Sequence, residues 1–369
     1  MRVKKSYMEI KGRESFSIFL NNWFRLNIFT LLSQLFILLI TPFFFFTSCY
    51  EINNLNIENN ANYFQRNEAE KQLLNHHRGE VVDIFIYNTE NHILDSYTRT
   101  KFTDYFSEEA FFNSRDGRKI IVIIHNPQHS DYVWEDIKTL EAIKKLNMNL
   151  ELEDSNHRTT YGIYESKVGG IIPNEIETSP LSASIQINSI SCDFRNKVYN
   201  GSSLTDVKFY LINISSNCKL FETRGNPSSM LNCGGLISSD LENMADPELI
   251  YKEYKGIISY NKVYPNVKLY CYPNQIEEES IGTEFTKLVI EGKIDGTIYY
   301  YPIDINRGDF TIENSDDHIG VKKSYNYTFD IVIKETGMDS PYKSINKEFV
   351  EFRSSIKEWD DQEEIIINY

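Results

Sequence analysis

Short apolar runs with the two-residue period of a β-strand recur along the second half of this chain, and they constrain its fold most. Residues 325–334 read YNYTFDIVIK, in which aromatic and aliphatic residues alternate with polar ones. Earlier runs are ASIQINSI (183–190), VKFYLINI (207–214) and VKLYCY (267–272). Asp295-Gly296 separates two further runs and is typical of a β-hairpin turn. Short strands at this spacing predict a β-sandwich rather than an α/β fold.

Two strands and one helix are predicted in the first half. VVDIFIY, residues 81–87, predicts a half-buried strand that opens a hairpin, and the chain resumes as a strand at His92 to Leu94. KIIVIIH, residues 119–125, is mostly β-branched and predicts a strand inside a sheet with both faces covered. Between Val133 and Leu150, apolar residues recur at helical spacing and predict one amphipathic helix.

Length, composition and charge define the broad class. The 369 residues, less a leader of about 48, favour two domains of ordinary size, and the Gly- and Pro-containing stretch Gly169 to Pro180 marks a boundary. Tyr and Phe total 47 residues, which favours strands over helices. The formal net charge is −15 and becomes −19 without the basic leader, so a nucleic-acid partner is not expected. These features predict an all-β protein that works outside the cell.

The start of the chain predicts export. Six basic residues precede or flank an apolar run from Leu26 to Phe46, which is followed by Thr47, Ser48 and Cys49. Small residues before a cysteine are typical of a lipoprotein signal, so we expect a signal segment at 1–48 and a lipid on Cys49. The alternative is an ordinary transmembrane helix, because the run is long enough to span a bilayer.

The remaining cysteines and the polar residues do not define a reaction. Four cysteines are compatible with one or two disulfides in three connectivities, or with buried thiols: Cys192, Cys218, Cys233 and Cys271. Their spacings are far from those of zinc sites, and no glycine-rich phosphate loop or nucleophile-base pattern is evident. We therefore expect no enzyme activity, no metal and no cofactor.

The order of these segments resembles the fimbrillin family of Bacteroidales pilins, from Cys49 onward. The segments that carry the resemblance are VVDIFIYN, KIIVIIHN, ASIQINSI, VKFYLINI, VKLYCYPN, TKLVIEGKIDGTIYYYPIDIN and GVKKSYNYTFDIVIKETGMDSP, of which the last three are the most specific. The match departs at Leu181 to Ile185, where family members often carry an Arg-rich strand. The departure affects the subtype rather than the family.

The resemblance implies a fold and a route of assembly. The fold would be two tandem transthyretin-like β-sandwiches, at 67–180 and 181–369, with one or two short helices. The subunit would reach the outer membrane as a palmitate-bearing lipoprotein and be trimmed by a trypsin-like protease. It would then join other pilus subunits by β-strand exchange in a surface fimbrium that supports adhesion.

On this chain, the removable N-terminal strand would be residues 49–66, with cleavage between Arg66 and Asn67. Arg78 is the second candidate for the cleavage site. Alternatively, both arginines are ordinary surface charges with no role in processing. The donor strand would be the tail, whose Ile365, Ile367 and Tyr369 share one face at the strand period. Alternatively, this tail completes the chain's own second sandwich.

A second function from a different class remains open. The protein is then a monomeric or anchor-type surface lipoprotein that binds a glycan or a host protein through its loops.

Overall fold

The computed structural model of the protein describes residues 81–101, 118–165, 175–221, 229–276, 285–307, 319–345, 348–358 and 363–366. The expectations for the leader 1–48, for the segment 49–66 with Cys49 and Arg66, and for Asn67 and Arg78 fall outside these residues. Within the described ranges, no helix has both the length and the apolar character needed to cross a membrane.

Short strands make up most of the described chain. In chain order they are β1 (Val81–Asn88), β2 (Leu94–Lys101), β3 (Lys119–His125), β4 (Asn147–Asn149), β5 (Thr160–Glu165), β6 (Glu175–Pro180), β7 (Ala183–Cys192), β8 (Thr205–Ile212), β9 (Ile214–Ser215), β10 (Asn217–Lys219), β11 (Met230–Leu231), β12 (Tyr251–Tyr254), β13 (Val267–Cys271), β14 (Asn274–Ile276), β15 (Lys287–Ile294), β16 (Thr297–Asp304), β17 (Ile319–Val321), β18 (Tyr325–Ile333), β19 (Val350–Glu358) and β20 (Glu363–Ile366). The helices are α1 (Trp134–Ile137), α2 (Leu140–Lys144) and α3 (Ser238–Asn243), with 3₁₀ turns at Leu150–Leu152 and Pro247–Leu249.

All described strands of the first half except β4 form one sheet, to which the C-terminal β20 is added. Its order is β2-β1-β3-β5-β6-β20, and every pairing in it is antiparallel. The hairpin of β1 and β2 matches the sequence prediction, with a register shift between Ile86 and Tyr87. β3 is buried at all seven positions, which confirms that both of its faces are covered.

The second half contains two four-stranded sheets, with orders β12-β8-β15-β16 and β13-β7-β18-β19. β7 and β18 run parallel, whereas their other partners are antiparallel. The hairpin of β15 and β16 turns at Asp295 and Gly296, both with positive φ, as the Asp-Gly sequence predicts. The apolar residues of both sheets pack in one core, including Ile187, Phe329 and Ile290.

The prediction that β1 is half-buried is wrong. Its six central residues are buried, because β1 lies between β2 and β3 and is apolar on both faces. One face joins the main core through Phe85 and Tyr87. The other face forms a separate apolar cluster with Ile121 and Ile123 of β3. A strand inside a sheet needs covering on both sides, and period-two alternation alone does not report this.

The predicted continuous helix over residues 133–150 is also wrong. The chain forms α1 and α2 and then continues as β4. Between the two helices Thr139 is extended, and its hydroxyl accepts a hydrogen bond from the backbone N–H of Ala142 at 3.2 Å. Beside it, the Leu94 N–H donates to the Lys138 carbonyl at 2.9 Å. Pairing with the β1–β2 connection therefore interrupts a pattern that is helical in period.

The prediction of an all-β sandwich is confirmed, since strands in several sheets dominate and the helices are few and short. The division into tandem domains at residue 180 stays a prediction. The halves also share strand pairs, because β4 of the first half pairs with β10 of the second.

Candidate functional site

The C-terminal strand β20 contains the first of the predicted donor residues, and it leaves the sheet of the strand before it. β19 belongs to the second half, whereas β20 adds to β6 in the first sheet. The register pairs Glu363 with Thr178, Glu364 with Glu177 and Ile365 with Ile176. Of the predicted donor residues the described chain therefore includes Ile365, whereas Ile367 and Tyr369 fall outside it.

Strand β6, which receives the tail, is fixed by buried contacts. Its C-terminal end pairs with β5, and the hydroxyl of Thr160 donates to that of Thr178 at 3.3 Å. Thr178 is fully buried. The Ser324 hydroxyl just before β18 donates to the Pro180 carbonyl at 2.7 Å. The tail thus pairs with a strand that is anchored to both halves of the protein.

The opposite edge of the same sheet is held by a buried carboxylate. Asp83 of β1 accepts two hydrogen bonds from the guanidinium of Arg99 in β2, at 2.6 and 2.7 Å. It also accepts from the hydroxyls of Tyr132 at 2.6 Å and Tyr97 at 3.0 Å. Burial, aided by the charge of Asp83, raises the pKa of both tyrosines.

The same arginine joins this edge to the loop before α1, because Arg99 also donates to the carbonyl of His129 at 2.6 Å. These contacts explain why a strand as polar as β2, with the sequence LDSYTRTK, stays paired at a sheet edge.

A second buried polar cluster joins the halves, and we call it the junction network. Glu153 accepts hydrogen bonds from the Gln128 amide at 2.6 Å, the Tyr272 hydroxyl at 2.7 Å and the Thr159 N–H at 2.8 Å. All four residues are almost fully buried. Burial raises the pKa of Tyr272 well above its usual value, and the carboxylate of Glu153 raises it further. Tyr272 therefore remains a donor at any physiological pH.

The junction network lies at one end of the two four-stranded sheets of the second half. Tyr272 follows β13, whose Cys271 pairs with Ala183 at the start of β7. We call this the junction end, and we call the end where β7 and β18 finish, at Cys192 and Ile333, the far end. β7 has ten residues, so the two ends lie about 30 Å apart.

The four cysteines within the described ranges are thiols rather than disulfides. Cys192, Cys218 and Cys271 are buried and Cys233 is half-buried. Burial raises the pKa of Cys192 to about 12, so its reactive thiolate is suppressed. Within the described part of the chain, no group of three or more His, Cys, Asp or Glu residues is placed to hold a metal ion.

Sequence reasoning missed the contacts that tie the halves together. Tyr272 and Glu153 are 119 positions apart, and Gln128 and Tyr272 are 144 apart. No local motif reports such a pair, and the acidic, polar surroundings of Glu153 in LELEDSN (150–156) give no sign that its carboxylate is buried.

Comparisons with known proteins identify solved structures that share the fold. No model of a known protein family matches the chain, and no curated protein matches it. Among solved structures, a candidate cell adhesion protein from Bacteroides eggerthii aligns with a TM-score of 0.52 and 14% identity, over 76% of this chain and 89% of its own. One from Parabacteroides distasonis aligns with a TM-score of 0.50 and 12% identity, over 75% and 88%.

A fimbrilin from Porphyromonas gingivalis also aligns, with a TM-score of 0.49 and 12% identity over 79% of this chain and 93% of its own. The resemblance stated from the sequence is confirmed at the level of the fold. The protein has the fold of the Bacteroides and Parabacteroides candidate adhesion proteins.

Proposed function

We propose that the protein is a non-enzymatic subunit of a surface fimbria that supports adhesion. The shared fold with candidate cell adhesion proteins supports this function. The observation that carries it is the placement of β20, a short strand that adds to a sheet of the other half of the molecule. A strand that can be added to a sheet within one chain can be added to a sheet of another.

Strand exchange would use this tail. Within the described residues, the intrachain register of β20 covers four positions, Glu363 to Ile366. Four paired residues make few backbone hydrogen bonds. Transfer of the tail to a partner would therefore break few hydrogen bonds within the chain. Ile365, Ile367 and Tyr369, spaced two apart, would then enter the partner's apolar groove.

Export and trimming would prepare the groove. In this proposal Cys49 bears palmitate and delivers the subunit to the outer membrane. A trypsin-like protease then cuts between Arg66 and Asn67, and loss of residues 49–66 leaves a place for the strand of another subunit. The physical basis is general, because unpaired backbone amides and carbonyls at a sheet edge favour the addition of a strand.

Limited trypsin treatment tests the proposal. The purified protein, with and without trypsin, is warmed in detergent and separated without boiling. We expect a ladder of oligomers only after cleavage, with a new N-terminus at Asn67. Arg66→Ala should abolish the new N-terminus at Asn67, whereas the matched Arg78→Ala should preserve it. Monomer in every lane would reject assembly and favour the surface lipoprotein.

The donor role is tested separately on trimmed protein. Ile365→Asp should remove the ladder, because a charge would enter an apolar groove. Gln362→Ala in the same tail is the control and should leave the ladder unchanged. An intact ladder in both variants would exclude the tail as the donor.

A further inference from the structure

Several connections between strands meet at the far end of the second half. They join β7 to β8, β12 to β13 and β15 to β16, and one follows β18. Contacts between them are the Lys197–Glu335 ion pair, the Ser202 hydroxyl donating to Asp295 at 2.9 Å, and the Arg195 guanidinium stacked over the Tyr260 ring at 4.8 Å. Loops held together at one end of a rigid scaffold are a common location for binding sites.

An open cleft of about 610 Å³ lies between the β7–β8 connection and the segment that joins β18 to β19, and the described residues that line it are all polar or charged. Among these described residues the charges are balanced, with three acidic and three basic side chains: Asp193, Glu335, Glu348, Arg195, Lys197 and Lys334. A balanced cleft does not favour a strongly charged ligand such as a nucleic acid or a phosphate. It offers both hydrogen-bond donors and acceptors to an uncharged one.

The walls of the cleft are fixed before any ligand binds. Arg195 donates two hydrogen bonds to Asp193, at 2.8 and 2.7 Å. The Tyr199 hydroxyl donates to Glu335 and accepts from the Thr336 N–H at 3.2 Å. Polar groups that are already oriented lose less entropy when a ligand binds.

An aromatic surface adjoins the cleft. Tyr260 is 58% exposed, and its ring is stacked with Arg195, which lines the cleft. A tyrosine ring combines an apolar face with a polar tip and has few rotatable bonds. The apolar C–H face of a pyranose ring can pack on such a surface while its hydroxyls reach the polar walls.

Two of these loops have a composition suited to recognition. Residues 193–203 read DFRNKVYNGSS and residues 255–266 read KGIISYNKVYPN. Tyr, Ser, Gly and Asn predominate in antibody loops, where they provide adaptable hydrogen bonds and rigid contact surface. A protein partner would instead be expected to require an apolar centre, and the described lining of the cleft contains no apolar residue; the exposed Val198, Ile257 and Tyr264 of the same loops lie outside that lining.

We propose that the far-end cleft binds a neutral oligosaccharide, with a sugar ring packed on Tyr260 and its hydroxyls bonded to the charged pairs around Arg195 and Glu335. The site would bind a ligand other than the strand of a neighbouring pilus subunit. It does not require trimming or strand exchange, so it can be tested on the unassembled protein.

The first experiment presents the full chain, in detergent and without trypsin, to a panel of oligosaccharides. The panel contains neutral chains of hexoses, deoxyhexoses and N-acetylhexosamines, together with sialylated and sulfated chains. Binding to members of the neutral set is the expected result. No binding, or binding to anionic chains alone, would overturn the proposal.

The second experiment measures the affinity for the neutral chain that binds best. Tyr260→Ala and Arg195→Ala should each weaken binding tenfold or more, whereas the control Tyr342→Ala should change it by less than twofold. Tyr342 is similarly exposed, at 62%. Neither tyrosine is itself a lining residue of the cleft, and Tyr260 is the one stacked with Arg195, which does line it. Undiminished binding in both Tyr260→Ala and Arg195→Ala would show that the saccharide binds elsewhere on the protein. Loss of oligomer ladders in Tyr260→Ala, with saccharide binding intact, would identify the surface as a subunit interface instead.

Discussion

The junction end and the far end of the second half use similar polar groups in different surroundings. At the junction end, Gln128, Glu153 and Tyr272 bond one another with almost no exposure to solvent. At the far end, the side chains of Arg195 and Glu335 are 63% and 31% exposed although both are paired.

Water explains the difference in role. A buried polar group must find a partner within the protein, so the junction network constrains how the halves join. An exposed group keeps spare hydrogen-bonding capacity toward solvent, which a ligand can use. The junction end therefore contributes to stability, and the proposed ligand would use the spare hydrogen-bonding capacity at the far end. Three predictions test this comparison.

The largest loss of stability is expected from Tyr272→Ala. The change removes a fully buried ring and leaves Gln128 and Glu153 without a hydroxyl partner, so the free energy of unfolding should fall by about 3–5 kcal/mol. Urea denaturation followed by fluorescence measures it. Tyr260→Ala at the far end is the control, with an expected change within about 0.5 kcal/mol. Equal losses at the two ends would refute the comparison.

A smaller loss of stability is expected from removing single hydroxyl groups. Tyr272→Phe keeps the ring and leaves buried groups unsatisfied, which should cost about 1–3 kcal/mol. The matched Tyr199→Phe at the far end should cost less, because Glu335 remains accessible to water and keeps its pairing with Lys197. The same denaturation experiment compares the two. A greater loss for Tyr199→Phe would contradict the assigned roles.

The smallest effect concerns Asp193. The hydrogen bonds from Arg195 lower the pKa of Asp193 to about 2. Because this value lies below the usual one, the ion pair stabilises the folded state above pH 4 or so, and the contribution is lost as the pH falls toward 2. NMR titration of the carboxyl carbon should show this midpoint. In Arg195→Ala the midpoint should return toward the ordinary aspartate value, and an unchanged midpoint would remove Arg195 as the cause.

Local sequence patterns predicted much of the strand content. β3, β7, β8, β13 and β18 lie close to their apolar runs, because a strand of alternating or β-branched residues needs little context. The Asp295-Gly296 turn was equally predictable, since few residue pairs adopt two positive φ angles.

Other features depended on distant partners. The interruption at Thr139 follows from pairing with the β1–β2 connection, and the burial of both faces of β1 follows from its place between two strands. The far-end cleft was not predicted from the sequence either, because its lining residues come from separate segments of the chain and form no local motif. Spacing along the chain does not report contacts that form only after the sheets assemble.

For this protein, the sequence by itself determined the all-β class, most strands of the second half, the tight hairpin turn and the acidic character. These properties follow from backbone preferences and side-chain charge, which are local. Only the tertiary structure decided that β7 and β18 pair in parallel, that β20 joins the first sheet, and that Tyr272 is buried against Glu153. The physical reason is that long-range pairing and burial depend on which surfaces meet, and residues more than 100 positions apart determine that jointly.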